Sequence, residues 1–298
     1  MGSMDYSLED GTPAFRSLLQ MLERVASGFS FTEGPVWHGD ELMFSDIPNS
    51  RTVRYRQLVD GPEITTFRHP SNRTNGMTLD RQGDLIVCEQ ENHSVTRVSA
   101  QGSVTTLAES YEGTPLNAPN DVVVRSDGSI YFTDPSFGRR RSPDGEQPIR
   151  GVYRIDPTDG LHRVVNDFQL PNGLAFSPDE KTLYIDDSAH QHIRAFDVAP
   201  DGSLSNGYVL AELKPRNADE RGVVDGMKVD SEGNIYCTGP GGVWILNPAG
   251  RLLGRIVMPE VTANLAWGGP DWRTLYLTAS TSLFRLQTRV PGIPVGRV

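Results

Sequence analysis

The sequence predicts an all-β fold, a six-bladed β-propeller built from four-stranded blades. Three observations predict it. One short template, a polar residue followed by an aliphatic strand, a turn and a second strand, recurs six times along the chain. The polar residues that open the copies are 42, 45, 52, 53 and 39 positions apart, around the roughly 40–50 residues of a propeller blade. Glycine (30) and proline (21) are abundant, while 37% hydrophobic residues suffice for a core, as many short strands joined by tight turns require.

The elements follow in order. Copies of the first strand open at residues 32–37, 74–79, 119–124, 171–176, 224–229 and 263–267. About eight positions after each anchor come turn residues, at 39–40, 82–84, 126–128, 177–179, 231–233 and 269–271, which are hairpin signals. Aliphatic and aromatic runs at 42–44, 85–87, 130–132, 183–185, 235–237 and 275–277 fit buried second strands. Third strands are expected at 52–55, 95–98, 151–155, 193–196, 242–246 and 282–286, and weaker fourth strands beyond them, for example 104–107. After Leu286 little chain remains for a sixth outer strand, so the unused residues 21–25 are expected to close the last blade. The expected organisation is an N-terminal extension over 1–20, one propeller over 21–289 and a C-terminal tail over 290–298. A two-sheet sandwich is the competing fold, but it does not require the same polar residue class at the head of every unit. Cys88 and Cys237 fall in blades 2 and 5, on opposite sides of the ring, so they are expected as free, buried thiols.

Charge and hydropathy exclude several functions. The 28 Lys+Arg against 38 Asp+Glu give a net charge of −10, and the longest basic tract is Arg139, Arg140 and Arg141. A nucleic-acid surface needs a clustered positive field, so no nucleic-acid partner is expected. No apolar run approaches the roughly 20 residues that span a bilayer, so no membrane partner is expected. The N-terminus lacks a signal-peptide pattern, and Tyr6 stands where a myristoylation motif has Ser or Thr. Residues 1–4 read like a cloning remnant ahead of a second Met, which leaves cytoplasm and periplasm both open. Oligomeric state is not legible.

The anchors carry the chemistry. First strands of a propeller line its central channel, so Glu33, Asn75, Asn120, Asn172, Asp225 and Asn264 are expected to ring one mouth of it. Two carboxylates and several amide carbonyls make a hard, oxygen-only ligand set for a divalent metal. Calcium fits best; magnesium and manganese are alternatives, and zinc usually takes nitrogen or sulfur ligands. The alternative is that these Asn and Asp residues only cap turns.

Glu33-Gly34-Pro35-Val36-Trp37, Asn120-Asp121, Pro171-Asn172-Gly173 and Asp225-Gly226, in this order and at these intervals, resemble the SMP-30/gluconolactonase/LRE-like family of six-bladed calcium-dependent lactonases over nearly the whole chain. Asn120-Asp121-Val122 and Tyr131-Phe132-Thr133-Asp134-Pro135 are most similar to bacterial gluconolactonases. The resemblance implies that Glu33, Asn172 and Asp225 hold the metal, with Asn120 beside it as a further ligand or substrate contact. Animal members have a substrate-contacting Arg two residues before the Asn120 equivalent; this chain has Ala118 there. Substrate recognition, with Asn75 as a further contact, is therefore expected to differ.

Lactone hydrolysis needs an electrophilic carbonyl, a nucleophilic water and a stabilised oxyanion, and a divalent cation can supply the first and third. Asp225 is the candidate general base. No Gly-x-Ser-x-Gly elbow, His-Glu-x-x-His or Gly-x-x-x-x-Gly-Lys competes. The expected function is therefore a metal-dependent hydrolase opening a sugar lactone or a related ester, with a phosphotriester as a conceivable side substrate. The other class is a non-catalytic binding or scaffold propeller with a structural calcium ion. Among the remaining residues, His190 and His192 read as a solvated loop pair lacking a third zinc ligand. The charged stretch 136–150 reads as a lid or a surface insertion. Asp46, Asp134 and Asp187 follow second strands, where they are expected to order strand ends.

Overall fold

The computed structural model describes residues 8–9, 22–137 and 147–296. All regular structure in them is β: six blades of four antiparallel strands, a small hairpin of Ser110–Tyr111 and Thr114–Pro115 after blade 2, and one short added strand. Blade 1 comprises Thr32–His38, Glu41–Asp46, Arg51–Leu58 and Gly61–Arg68. Blade 2 comprises Thr74–Leu79, Leu85–Glu89, Ser94–Val98 and Val104–Ala108. Blade 3 is built from Val122–Val124, Ile130–Asp134, Gly151–Asp156 and Gly160–Val165. Blade 4 is built from Pro171–Phe176, Thr182–Asp187, His192–Val198 and Leu204–Glu212. In blade 5, Met227–Val229, Ile235–Gly239, Gly242–Leu246 and Leu252–Val257 run from the axis outward. Blade 6 has Thr262–Gly268, Thr274–Ala279 and Ser282–Gln287.

Its fourth strand comes from the start of the chain: Glu23–Ser27 pairs antiparallel with Ser282–Gln287, two residues later than the expected 21–25. Joining the ring this way leaves no unpaired seam between the first and last blades. A short strand, Leu8–Glu9, adds a fifth strand to the outer edge of blade 5, pairing with Ile256 and Arg255. The tail is also engaged. Gly292 bridges Asp230, Ser231 donates its N–H to the Pro291 carbonyl (2.9 Å), and Gly292 donates to that of Trp272 (2.8 Å). Most of the expected lid lies outside the described residues, but its base is closed by Arg150, whose Nε donates to Ser136 Oγ at 2.7 Å.

A hydrophobic cluster sits between every pair of neighbouring blades. Val36 and Met43 of blade 1 meet Met77, Leu85 and Val87 of blade 2, and Leu42, Phe44 and Tyr55 meet Ala266 and Tyr276 of blade 6. Trp37 stacks on Tyr276 at 5.7 Å across that last junction. Cys88 is packed between blades 2 and 3 and Cys237 between blades 4 and 5, both free and buried. Because each blade buries its apolar faces only against its neighbours, the polar heads of the first strands are left to converge on the axis.

Candidate active site in the axial channel

The heads of the first strands depart from regular pairing. In blades 1, 2, 4 and 6 the ladder to the second strand is interrupted at the anchor, between Glu33 and Val36, Thr74 and Met77, Pro171 and Leu174, and Thr262 and Asn264. In blades 3 and 5 the strand begins after the anchor, at Val122 and Met227. Such bulges re-aim a side chain, here from the sheet face toward the axis. The anchors then pack shoulder to shoulder. Gly76 donates its N–H to the Asn120 carbonyl (2.7 Å), and Gly226 donates to that of Ala263 (2.7 Å). Gly34, at φ 51°, lies so close to the Asn75 carbonyl that a Cβ there would overlap it. Hydroxyls on the second strands brace the ring from outside. Ser45 donates to the Asn75 carbonyl (2.7 Å), Thr133 to that of Asn172 (2.8 Å), Thr238 to that of Ala263 (2.9 Å) and Thr278 to that of Asn264 (3.2 Å).

Glu33, Asn172 and Asp225 meet as expected. The Asp225 carboxyl lies beside both Glu33 and the Asn172 amide, close enough for each to act on its proton affinity, so blades 1, 4 and 5 meet there. Asn172 also donates to Ser188 Oγ (3.0 Å), which in turn donates to the Val224 carbonyl (2.6 Å). Glu33, Asn75, Asn120 and Asn172 are all buried, whereas Asp225 keeps partial access to solvent. Asn75 Oδ1 is buried with no hydrogen-bond partner, and no described residue bonds the Asn120 side chain. Ala118 is buried and gives its N–H to Asp134 Oδ1 (2.8 Å).

Four groups of the channel escaped the sequence reading or received no role in it. Asn264 donates to Glu33 Oε2 at 2.9 Å and stands 3.4 Å from Asp121 Oδ2, closing the ring from blade 6 to blade 1. Lys228 places Nζ 3.8 Å from Asp121 Oδ2 and 3.5 Å from Asn264 Oδ1. Asp186 accepts the Gly173 N–H (3.2 Å) from the same register at which four other blades carry Ser45, Thr133, Thr238 and Thr278 and blade 2 carries Cys88. The period of two along the second strands is the signal that could have found it.

Electrostatics follow from this crowding. Burial first, and then the Asp121 carboxylate, push Glu33 up to about 7, against the Gly34 N–H, the Asn264 amide and Lys228. Burial and the Glu33 carboxylate raise Asp225 well above the ordinary range, although the Asn172 amide opposes them. Asp186 is raised by burial, Asp225 and Asp121. Converging buried carboxyls with two unengaged amide groups beside them are a donor set that suits a hard divalent cation, which favours their ionised forms.

The strand-end acids do something else. Asp46 accepts N–H bonds from Ser30 (3.0 Å) and Phe31 (3.3 Å), Asp134 from Asn117 and Ala118 (both 2.8 Å), and Asp187 from Gln169 (2.8 Å) and Leu170 (3.1 Å). They order the loops at the mouth, as expected from sequence.

Over residues 31–281 the chain matches the model of the SMP-30/gluconolactonase/LRE-like region. The chain belongs to the SMP-30/gluconolactonase/LRE-like family. Among family relatives, a gluconolactonase of Zymomonas mobilis is 30% identical over 91% of this chain and 82% of its own. Regucalcin of Xenopus laevis is 28% identical over 86% of this chain and 85% of its own. The solved structure of a gluconolactonase from Xanthomonas campestris superposes with a TM-score of 0.83 at 30% identity, covering 98% of this chain and 99% of that one.

A cavity of about 260 Å³ lies elsewhere, at the opposite mouth of the channel. The far ends of the first strands line it, with Trp37, Leu79, Phe176 and Trp267, and the tail residues 293–296 border it. It contains none of the six anchors. Lys228 lines it too, while its ammonium reaches toward Asp121 and the anchors.

Proposed function

We propose that this protein is a metal-dependent hydrolase that opens a sugar lactone, with Glu33, Asn120, Asn172 and Asp225 holding one divalent cation, calcium before magnesium, manganese or zinc. The observation that carries the reading is the meeting of Glu33, Asn172 and Asp225 from three blades at one mouth of the channel. Membership of a family that includes gluconolactonases supports the substrate class. When bound, the cation would polarise the lactone carbonyl, acidify water and stabilise the tetrahedral oxyanion.

The chain's own groups supply the rest. Glu33 and Asp225 contribute the negative charge, and the Asn172 amide is oriented by Ser188 so that its oxygen is left for coordination. Asn75 and Asn120 carry amide groups with unused hydrogen-bonding capacity, suited to the hydroxyls of a sugar lactone. Asp225 has solvent access, and beside a cation, where its own proton affinity would fall, it would take the proton of a water that the cation has acidified as well. The acyl C–O bond of the ring then breaks, and the protonated Asp225 returns its proton to the departing alkoxide. Lys228, beside Asp121, opposes the accumulation of negative charge beneath the ring.

A panel of five- and six-membered lactones, assayed with and without chelator, tests the reading. Activity should disappear on chelation and return with calcium. Calcium titration of Glu33→Gln and Asp225→Asn should show affinity weakened by about 100-fold or more, since a charged ligand is lost. Wild-type affinity in both variants would remove the site. If the protein loaded in turn with calcium, magnesium, manganese and zinc opens no lactone, the scaffold with a structural ion takes its place.

A further inference from the structure

A second set of ligating side chains lies outside the anchor ring, where the second strand of blade 4 turns into the third. We propose that Asp187, His190 and His192 form a binding site for one d-block dication of the zinc and cobalt(II) class, separate from the oxygen-lined site at the anchors. One ligand atom from each residue falls within 4.8 Å of the other two. The third ligand that the sequence did not provide for the two histidines is thus Asp187.

The cluster has a fixed part and an adjustable part. Asp187 is buried and pinned: Oδ2 accepts the Gln169 N–H (2.8 Å), and Oδ1 accepts those of Leu170 (3.1 Å) and Ala189 (2.9 Å). The remaining lone pair of Oδ2 faces His190 Nδ1 at 2.9 Å, so a cation there would take the position of one ring proton. His190 and His192, two residues apart, stack at 5.3 Å with their planes 13° apart. The His190 side chain is 52% exposed, which leaves it free to rotate and leaves an open position for water. Tetrahedral zinc with bonds of about 2.0–2.1 Å needs its ligand atoms roughly 3.3 Å apart, so the close pair opens and no separation has to shorten by more than about 1.5 Å.

Chemistry selects the metal class. Two imidazoles and one carboxylate favour zinc, cobalt, nickel or copper, whereas calcium prefers oxygen alone. Burial lowers the proton affinity of His192, which keeps a ring lone pair available at neutral pH. The charged groups acting on that ring are Asp187, His190, Arg194 and Glu212, the last opposite His192 in the ladder. Comparison with other blades separates this arrangement from an ordinary strand-end acid. At the same register Asp46 pairs with Arg51 (3.0 Å) and Glu89 with Arg68 (2.6 Å), and a guanidinium cannot ligate a metal. His192 of blade 4 stands where blade 1 has Arg51, opposite the acid in the ladder, and His190 stands where blades 1 and 2 have Asn49 and Asn92. The next residue, Ser188, holds the Asn172 amide, so an ion here would stiffen the segment that orients an anchor.

The test is titration of calcium-loaded protein with cobalt(II), read by its visible d–d absorption. Wild type should take up one equivalent into an imidazole-bearing site, and zinc should displace it. In the His190→Ala/His192→Ala double variant, affinity should fall by more than the roughly 10–100-fold that loss of a supporting group costs. His192→Arg recreates the acid–arginine pair of blade 1, so it should fold normally and give no band. Glu33→Gln, weakened at the anchors, should keep the cobalt site, which separates failure here from failure of the lactonase reading. No band in wild type, or an undiminished band in both histidine variants, overturns the proposal.

Discussion

Asp186 and Asp187 are consecutive residues of one strand and equally shielded from solvent contact, at 0% and 1% exposure, yet they meet opposite conditions. Asp186 faces the channel, where burial and the Asp225 and Asp121 carboxylates raise its proton affinity well above the ordinary range against one N–H bond from Gly173. Burial would raise Asp187 too, but the His190 ring and the N–H groups of Gln169, Leu170 and Ala189 outweigh it and hold the carboxyl below that range. Asp186 lies deeper in the ring and has one donor, Asp187 lies nearer its surface and has several, and both differences favour ionisation of Asp187. The contrast extends around the ring. Glu33, Asp121, Asp186 and Asp225 crowd one another in the channel, whereas Asp46, Glu89, Asp134 and Asp187 are each held by the donors of a loop.

If the channel acids serve chemistry and the strand-end acids serve the fold, mutations should separate the two. The largest effect is expected for Asp225→Asn assayed with the cation site demonstrably full: activity should fall by roughly 10²–10⁴-fold, the scale of general-base catalysis, with the melting temperature nearly unchanged. Full rescue by calcium would leave Asp225 as a ligand only. Next in size is Asp187→Ala, which strands the backbone N–H groups of Gln169, Leu170, Ala189 and His190. It should cost about 3 kcal/mol by chemical denaturation, since hydrogen bonds to a buried charge are the strong ones. A loss below about 0.5 kcal/mol would break the comparison, because it is what an ordinary surface change costs.

A pH series sharpens it further. Glu33 moves from 4.5 to about 7 on folding, so its protonated form is favoured in the native state. With chelator present, the melting temperature should be highest at low pH on this account, and fall as pH rises from about 4.5 through about 7. Calcium should abolish that fall, and Glu33→Gln should flatten it without calcium. A melting temperature that rises with pH in chelator would contradict the assigned environment. The smallest effect is expected for Asp186→Asn. Its carboxyl is held toward the neutral form, so an amide of the same shape should change stability by less than about 1 kcal/mol at neutral pH. A loss as large as that of Asp187→Ala would show that Asp186 is ionised and paired after all.

Much of this was legible beforehand for a specific reason. A propeller repeats one local unit, so six copies of the same strand and turn chemistry state the fold independently of any long-range contact. The anchors were legible because a polar residue at the head of a buried strand is conspicuous against its aliphatic neighbours. Glu33, Asn172 and Asp225 accordingly came together. Other features depend on direction and distance. Asp186 and Asp187 are identical in type and adjacent, and only the pleat, which sends alternate side chains to opposite sides, divides channel from loop. Lys228 belongs to the anchors through the reach of its side chain, and Asp121 through a backbone bend that ends regular pairing. His190 and His192 meet Asp187 because a hairpin folds it back upon them. The pairing of Leu8–Glu9 with blade 5 joins parts of the chain far apart in sequence. Repetition wrote the architecture into the chain residue by residue, whereas the electrostatics of its axis arise where six separate strands meet, and that meeting exists only in three dimensions.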